Sequence, residues 1–99
     1  MHLVESGRQV GRTAAQIAAL PDGSIFLVHS EKHAAYCRGL LRKAGRSPQA
    51  IKFGMPDNFE RFTGARVPAM DVDHAYWTLA GRRAREAHDF LRLAVSPYA

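Results

Sequence analysis

The chain has 99 residues, 46% of them apolar and 23% charged, and carries a formal net charge of +5 from fourteen basic residues against nine acidic ones. That is enough for one small domain, too apolar for a disordered chain, and without any apolar stretch near the roughly 20 residues that span a bilayer. A single cysteine, Cys37, excludes an internal disulfide framework and fits a reducing cytoplasm, and the basic balance favours an anionic partner.

Met1 to Glu5 lacks the basic segment and long apolar run of a signal peptide. Leu3 and Val4 form a short apolar run ahead of a glycine-containing segment, Ser6-Gly7-Arg8-Gln9-Val10-Gly11-Arg12-Thr13. A helical pattern, Thr13 to Leu20, follows. Strand, turn and helix in that order bring backbone N–H groups together at a helix start, where they cradle phosphate. Pro21-Asp22-Gly23 marks a turn, and Ile25 to His29 is a continuous apolar run suited to a strand buried on both faces.

Ser30 is placed to cap a helix over about 31–44, with Ala34, Cys37, Leu40, Leu41 and Ala44 on its inner face and Gly45 beyond its end. Cys37 on that face is expected to be buried and inert. Ala50 to Phe53 predicts a third strand. Asp57 to Glu60 resembles a capping box for a short helix over about 58–63, and Val67 to Asp73 predicts a fourth strand. From Asp73 or His74 onward, Trp77, Ala80, Ala84, Ala87, Leu91 and Ala94 recur at helical spacing, closed by Pro97. No repeat or linker interrupts residues 1–99, so a single domain is expected, an α/β three-layer sandwich with a mainly parallel sheet of about four strands. Ligands bind such sheets at the carboxyl ends of strands, where the segments 6–13 and 71–74 both begin in this layout.

These two segments resemble motifs of the P-loop nucleoside triphosphatases, particularly the helicase and phage-terminase-like branch. Ser6 to Thr13 looks like the phosphate loop, with Ser6 in place of glycine and Arg12 in place of lysine; Val67 to Ala75 looks like the Walker B strand. The resemblance implies a nucleotide, ATP or GTP, contacted by Ser6, Gly7, Val10, Gly11, Arg12 and Thr13. Thr13 matches the hydroxyl that binds Mg²⁺, and Asp73 the carboxylate that holds that ion through water. His74 stands where relatives carry the water-activating glutamate, so Asp73 and His74 are the catalytic candidates. An arginine fork is no substitute for a compact lysine ammonium, and histidine lacks a permanent negative charge, so hydrolysis is expected to be weak or absent. A phage-encoded protein acting in the host cytoplasm fits this resemblance.

Other constellations have plainer explanations. Arg82, Arg83 and Arg85 are candidates for a nucleic-acid or protein contact, though a solvated helix face is the simpler explanation. Asp71 and Asp73 lie two apart on the expected strand, yet Asp73 as a helix cap and Asp71 paired with a base such as Arg66 is the simpler arrangement. His29 and His33 straddle a strand–helix junction, so zinc spacing does not apply, and neither zinc nor haem is expected. Trp77 on the apolar stripe is expected in the core. No membrane partner is expected, and the stripe from Trp77 to Ala94 leaves the oligomeric state open.

Overall fold

β1, Ile25–Leu27, is the centre of the molecule because every residue of it is apolar and fully buried. A strand buried on both faces needs a neighbour on each side and a cover above and below. The computed structural model describes residues 2–96, with side chains from residue 11 onward. In it β1 pairs in parallel with β2, Lys52–Gly54, on one side and with β3, Met70–Val72, on the other. Phe26 lies opposite both Phe53 and Asp71. The helices are α1, His2–Ala19; α2, Glu31–Lys43; α3, Tyr76–Leu79; and α4, Ala84–Arg92, with a 3-10 turn over Phe59–Phe62. Over the described residues the result is an α/β fold with a three-strand parallel sheet and four helices.

Side chains alternate across the sheet. Phe26 and Val28 pack with Ile17 of α1, with Leu20 just beyond that helix, and with Ala34, Cys37 and Leu41 of α2. Ile25 and Leu27 face the other way, onto Phe59, Phe62, Tyr76, Ala87 and Leu91. Each fully buried residue of this size contributes about 1.5–3 kcal/mol by leaving water. α2 begins where Ser30 Oγ accepts the His33 amide at 3.2 Å. It ends at Gly45, whose φ of 77° permits the Arg46 amide to reach back to the Leu41 carbonyl at 2.9 Å. The Arg46 guanidinium in turn donates to the Ile17 and Leu20 carbonyls, each at 3.0 Å, closing the end of α1.

Three expectations are corrected. The strand at Leu3 and Val4 and the turn over 6–12 are replaced by one helix, α1. Two apolar residues are too few to hold a strand, and the alanines of 14–19 propagate helix back through Gly11 at a cost of roughly 1 kcal/mol per glycine. Gly11 has no positive φ, and a Cβ there would meet nothing within 4 Å, so neither backbone strain nor close approach requires a glycine. The sheet accordingly has three strands rather than about four. Finally, the C-terminal helix is not continuous. Gly81, at φ 81°, divides it into α3 and α4, and the phase of the buried stripe shifts at the break. Ala84, Ala87, Leu91 and Ala94 are buried as expected, but Tyr76 rather than Trp77 enters the core. The Tyr76 hydroxyl donates to the Ala84 carbonyl at 2.7 Å across the break, and Trp77 is left 51% exposed. Pro97 lies outside the described residues.

Candidate functional site at the carboxyl ends of the strands

Parallel strands end on one side of a sheet, so β1 delivers His29 and Ser30, and β3 delivers Asp73 and His74, to the same edge. The Asp73 amide donates to the Leu27 carbonyl at 2.9 Å, which extends the ladder one residue past β3 and fixes the carboxylate beneath α1. From α1, Thr13 and Gln16 reach this edge from one face, three residues apart. Gln16 Nε2 donates to Asp71 Oδ2 at 3.1 Å and to the Val72 carbonyl at 2.7 Å, and its Oε1 accepts the His74 amide at 3.2 Å. Asp71 Oδ1 accepts the Val72 amide at 2.8 Å. Asp71 therefore bonds Gln16 rather than Arg66, and Gln16 occupies polar groups on the outer side of β3.

A chain of four side chains crosses the edge beside this staple. Asp73 is 1% exposed; its Oδ1 accepts the Thr13 hydroxyl at 3.0 Å, and its Oδ2 accepts the Ala75 amide at 3.1 Å. The Ala75 bond places Asp73 at the start of the turn into α3, but the N-cap of α3 is Ala75, so Asp73 is not the helix cap that the sequence suggests. His33 Nε2 sits 3.3 Å from Asp73 Oδ1, off the line of a hydrogen bond, so the contact is electrostatic. His74 Nε2 lies 3.1 Å from the Thr13 oxygen. A hydroxyl has one proton, and Thr13 commits it to Asp73 Oδ1, so His74 Nε2 must carry the proton in this contact. The order of the chain is His33, Asp73, Thr13, His74.

His33 also opens a second, outward-facing row. Its ring stacks on His29 with centroids 4.9 Å apart and on Tyr36 at 5.7 Å, with interplanar angles of 30° and 27°. These rings, with Ser30 and Lys32, line a cleft of about 290 Å³. His29 Nδ1 is buried and makes no hydrogen bond among the described residues. Burial, and then the neighbouring His33, push the His29 pKa down, with Asp73 opposing them. Behind the row, burial and then Asp73 push the Cys37 thiol up to about 12, against a smaller opposing effect of Arg38. The inert thiol expected from its helix face is what this environment produces.

The residues singled out in the sequence are thus divided. Thr13, Asp73 and His74 come together. Ser6, Gly7, Val10, Gly11 and Arg12 do not form a phosphate nest: they lie within α1, where interior amides point along the axis to carbonyls one turn back. Thr13 and Asp73 as folded do not fit Mg²⁺. That ion takes near-octahedral oxygen ligands and retains several waters, whereas both Asp73 oxygens already accept hydrogen bonds and the pair is buried. Among the described residues no group of three or more His, Cys, Asp or Glu is arranged to hold a metal. Arg83 is spent inside the chain, 2.9 Å from Glu86, 3.6 Å from Glu60 and over the Phe59 ring, and Arg85 approaches Asp89 at 3.8 Å. Gln16, His29, His33 and Tyr36 were not singled out as site residues. The signal for two of them was position: His29 and His33 follow the central strand, at the edge where α/β sheets carry ligands.

Comparison with protein-family models, curated proteins and solved structures returned no match for this chain.

Proposed function

We propose that this domain binds a phosphate-bearing ligand, a nucleotide in the leading case, at the carboxyl edge of its sheet, and hydrolyses it slowly or not at all. The observation that carries this is the meeting of Thr13 with Asp73 at 3.0 Å from 60 residues apart, flanked by His33 and His74. The net charge of +5 and the exposed Lys32, which lines the cleft beside His33, favour an anion there. With the amides of α1 committed to helix, recognition falls to side chains, chiefly the histidines and Lys32. Weak hydrolysis follows from the same bonds, since Asp73 and Asp71 are both held by neighbours and neither is placed to activate water. A single buried thiol suits a reducing cytoplasm, that of a host if the protein is phage-encoded. Isothermal titration with ATP and GTP, with and without Mg²⁺, tests the proposal. Saturable heat is expected with or without the metal; no heat at millimolar nucleotide ends it.

A second function, as an adaptor that binds a protein or nucleic acid, draws on a different surface. Trp77 and Leu79 of α3 are exposed, near Arg82, Arg83 and Arg85 in the sequence. Because Arg83 is held by Glu86, Glu60 and Phe59, the test replaces Arg82 and Arg85 by alanine, which should then abolish partner binding while leaving nucleotide titration unchanged.

A further inference from the structure

The cleft beside Tyr36 has an organisation that the Thr13–Asp73 pair does not require. Three rings, from residues 29, 33 and 36, stand in a row, each inclined to the next by 30° or 27°, that begins at a buried atom, His29 Nδ1, and ends at Tyr36, a residue 40% exposed. Rings stacked in this way present a flat π surface at the open end, where a further planar group can be added. The charge beside the row is arranged for an anion. Glu31, the nearest acid in sequence, is held by Arg38 at 3.0 Å, while Lys32 lines the cleft and makes no ion pair among the described residues. A volume of about 290 Å³ falls at the lower end of small-ligand pockets, which begin near roughly 300 Å³.

We propose that this cleft is a nucleobase platform: the base of a nucleoside phosphate stacks on Tyr36, continuing the His29–His33–Tyr36 row, while Lys32 meets the phosphate. The proposal rests on phosphate binding at the sheet edge and adds to it the part of the ligand recognised and the residues that recognise it. His33 joins the two, since its ring is the middle one of the row and its Nε2 lies 3.3 Å from Asp73 Oδ1.

The test titrates the intact chain with inorganic pyrophosphate, ADP and GDP, recording affinity by calorimetry and the aromatic ring resonances by NMR. Base stacking contributes on the order of five- to hundredfold per base. ADP or GDP should therefore bind at least about fivefold more tightly than pyrophosphate, with ring-current shifts at Tyr36 and His33. Tyr36→Ala should bring nucleotide affinity down to that of pyrophosphate without changing the pyrophosphate affinity, and Tyr36→Trp should restore the difference. Lys32→Ala should weaken all three ligands. Because Tyr36 is exposed, each variant is required to show the unfolding midpoint of the parent chain, and Tyr36→Phe serves as the conservative control that keeps the ring. If pyrophosphate binds as tightly as the nucleotides, or the shifts fall at Trp77 instead, the platform is refuted and phosphate binding stands. If none of the three binds, both fall.

Discussion

The Thr13 hydroxyl and the Asp73 carboxylate meet at 3.0 Å, 60 residues apart, in a contact almost closed to water. It joins the helix before the central strand to the turn after the edge strand. A buried carboxylate is costly unless hydrogen-bonded, so this contact is a structural requirement before it is anything else.

Thr13→Val keeps the shape of the side chain and removes the donor. It should destabilise the fold by about 1–3 kcal/mol, because the carboxylate stays buried with one bond fewer. Thr13→Ser retains the hydroxyl and should cost less. Urea midpoints for the two variants check this; equal losses would assign the cost to packing and not to the hydrogen bond.

Stability should also fall in mild acid, through His29. Its pKa is lowered in the fold, by burial first and His33 second, so near pH 6 the folded chain binds fewer protons there than the unfolded chain. The stabilisation is complete above the ordinary value of 6.5 and is lost as pH drops through the lowered folded value. Urea unfolding at about pH 7.5 and pH 5.5 should show a smaller acid loss for His29→Asn than for the parent chain. Parallel losses in the two proteins would exclude His29 as the source.

Cys37 offers a chemical readout of the same packing. With its thiol pushed up to about 12 and the side chain fully buried, it should resist a disulfide reagent near pH 8 in the folded protein. Reaction should become fast in concentrated urea and track the unfolding transition. Fast labelling without denaturant would show that α2 lifts from the sheet.

Gly54 is a glycine because of α4. A Cβ at that position would stand 2.5 Å from Leu91 Cδ1 and 3.6 Å from side-chain atoms of both Ile25 and Leu27. Leu91 is fully buried and has little room to yield. Gly54→Ala should cost about 1–3 kcal/mol by overpacking, read from thermal or urea unfolding. Gly11→Ala, on a helix with open space around that position, should stabilise by a few tenths to about 1 kcal/mol. A loss of stability there would show that the α1 backbone needs a glycine after all.

The interior of the chain was legible because its signals are local. Ile25 to Val28 declares a buried strand by being apolar throughout, Ser30 and Gly45 bracket α2, and Cys37 sits on that helix's apolar face. The start of the chain was misread because glycines at positions 7 and 11 signal a turn only if something outside the segment makes use of the turn; without that, helix propensity prevails over 14–19. Trp77 and Tyr76 were exchanged for a similar reason. Periodicity assumes an unbroken helix, and one left-handed residue at Gly81 moves the inner face by one position.

The site divides along the same line. Residue order placed Asp73 and His74 beyond the end of a parallel strand, whereas Thr13 was expected there through a strand at Leu3 and Val4 that does not form; it arrives from within α1 instead. Only the tertiary structure decided that His33 would join them, that Gln16 would hold Asp71, and that three rings would form a row open to solvent. Those contacts depend on the rotation of α2 about its own axis and on the height of α1 over the sheet. Both are set by how Ile17, Leu20, Phe26 and Leu41 fill space together, a property of the assembled core that no single segment carries.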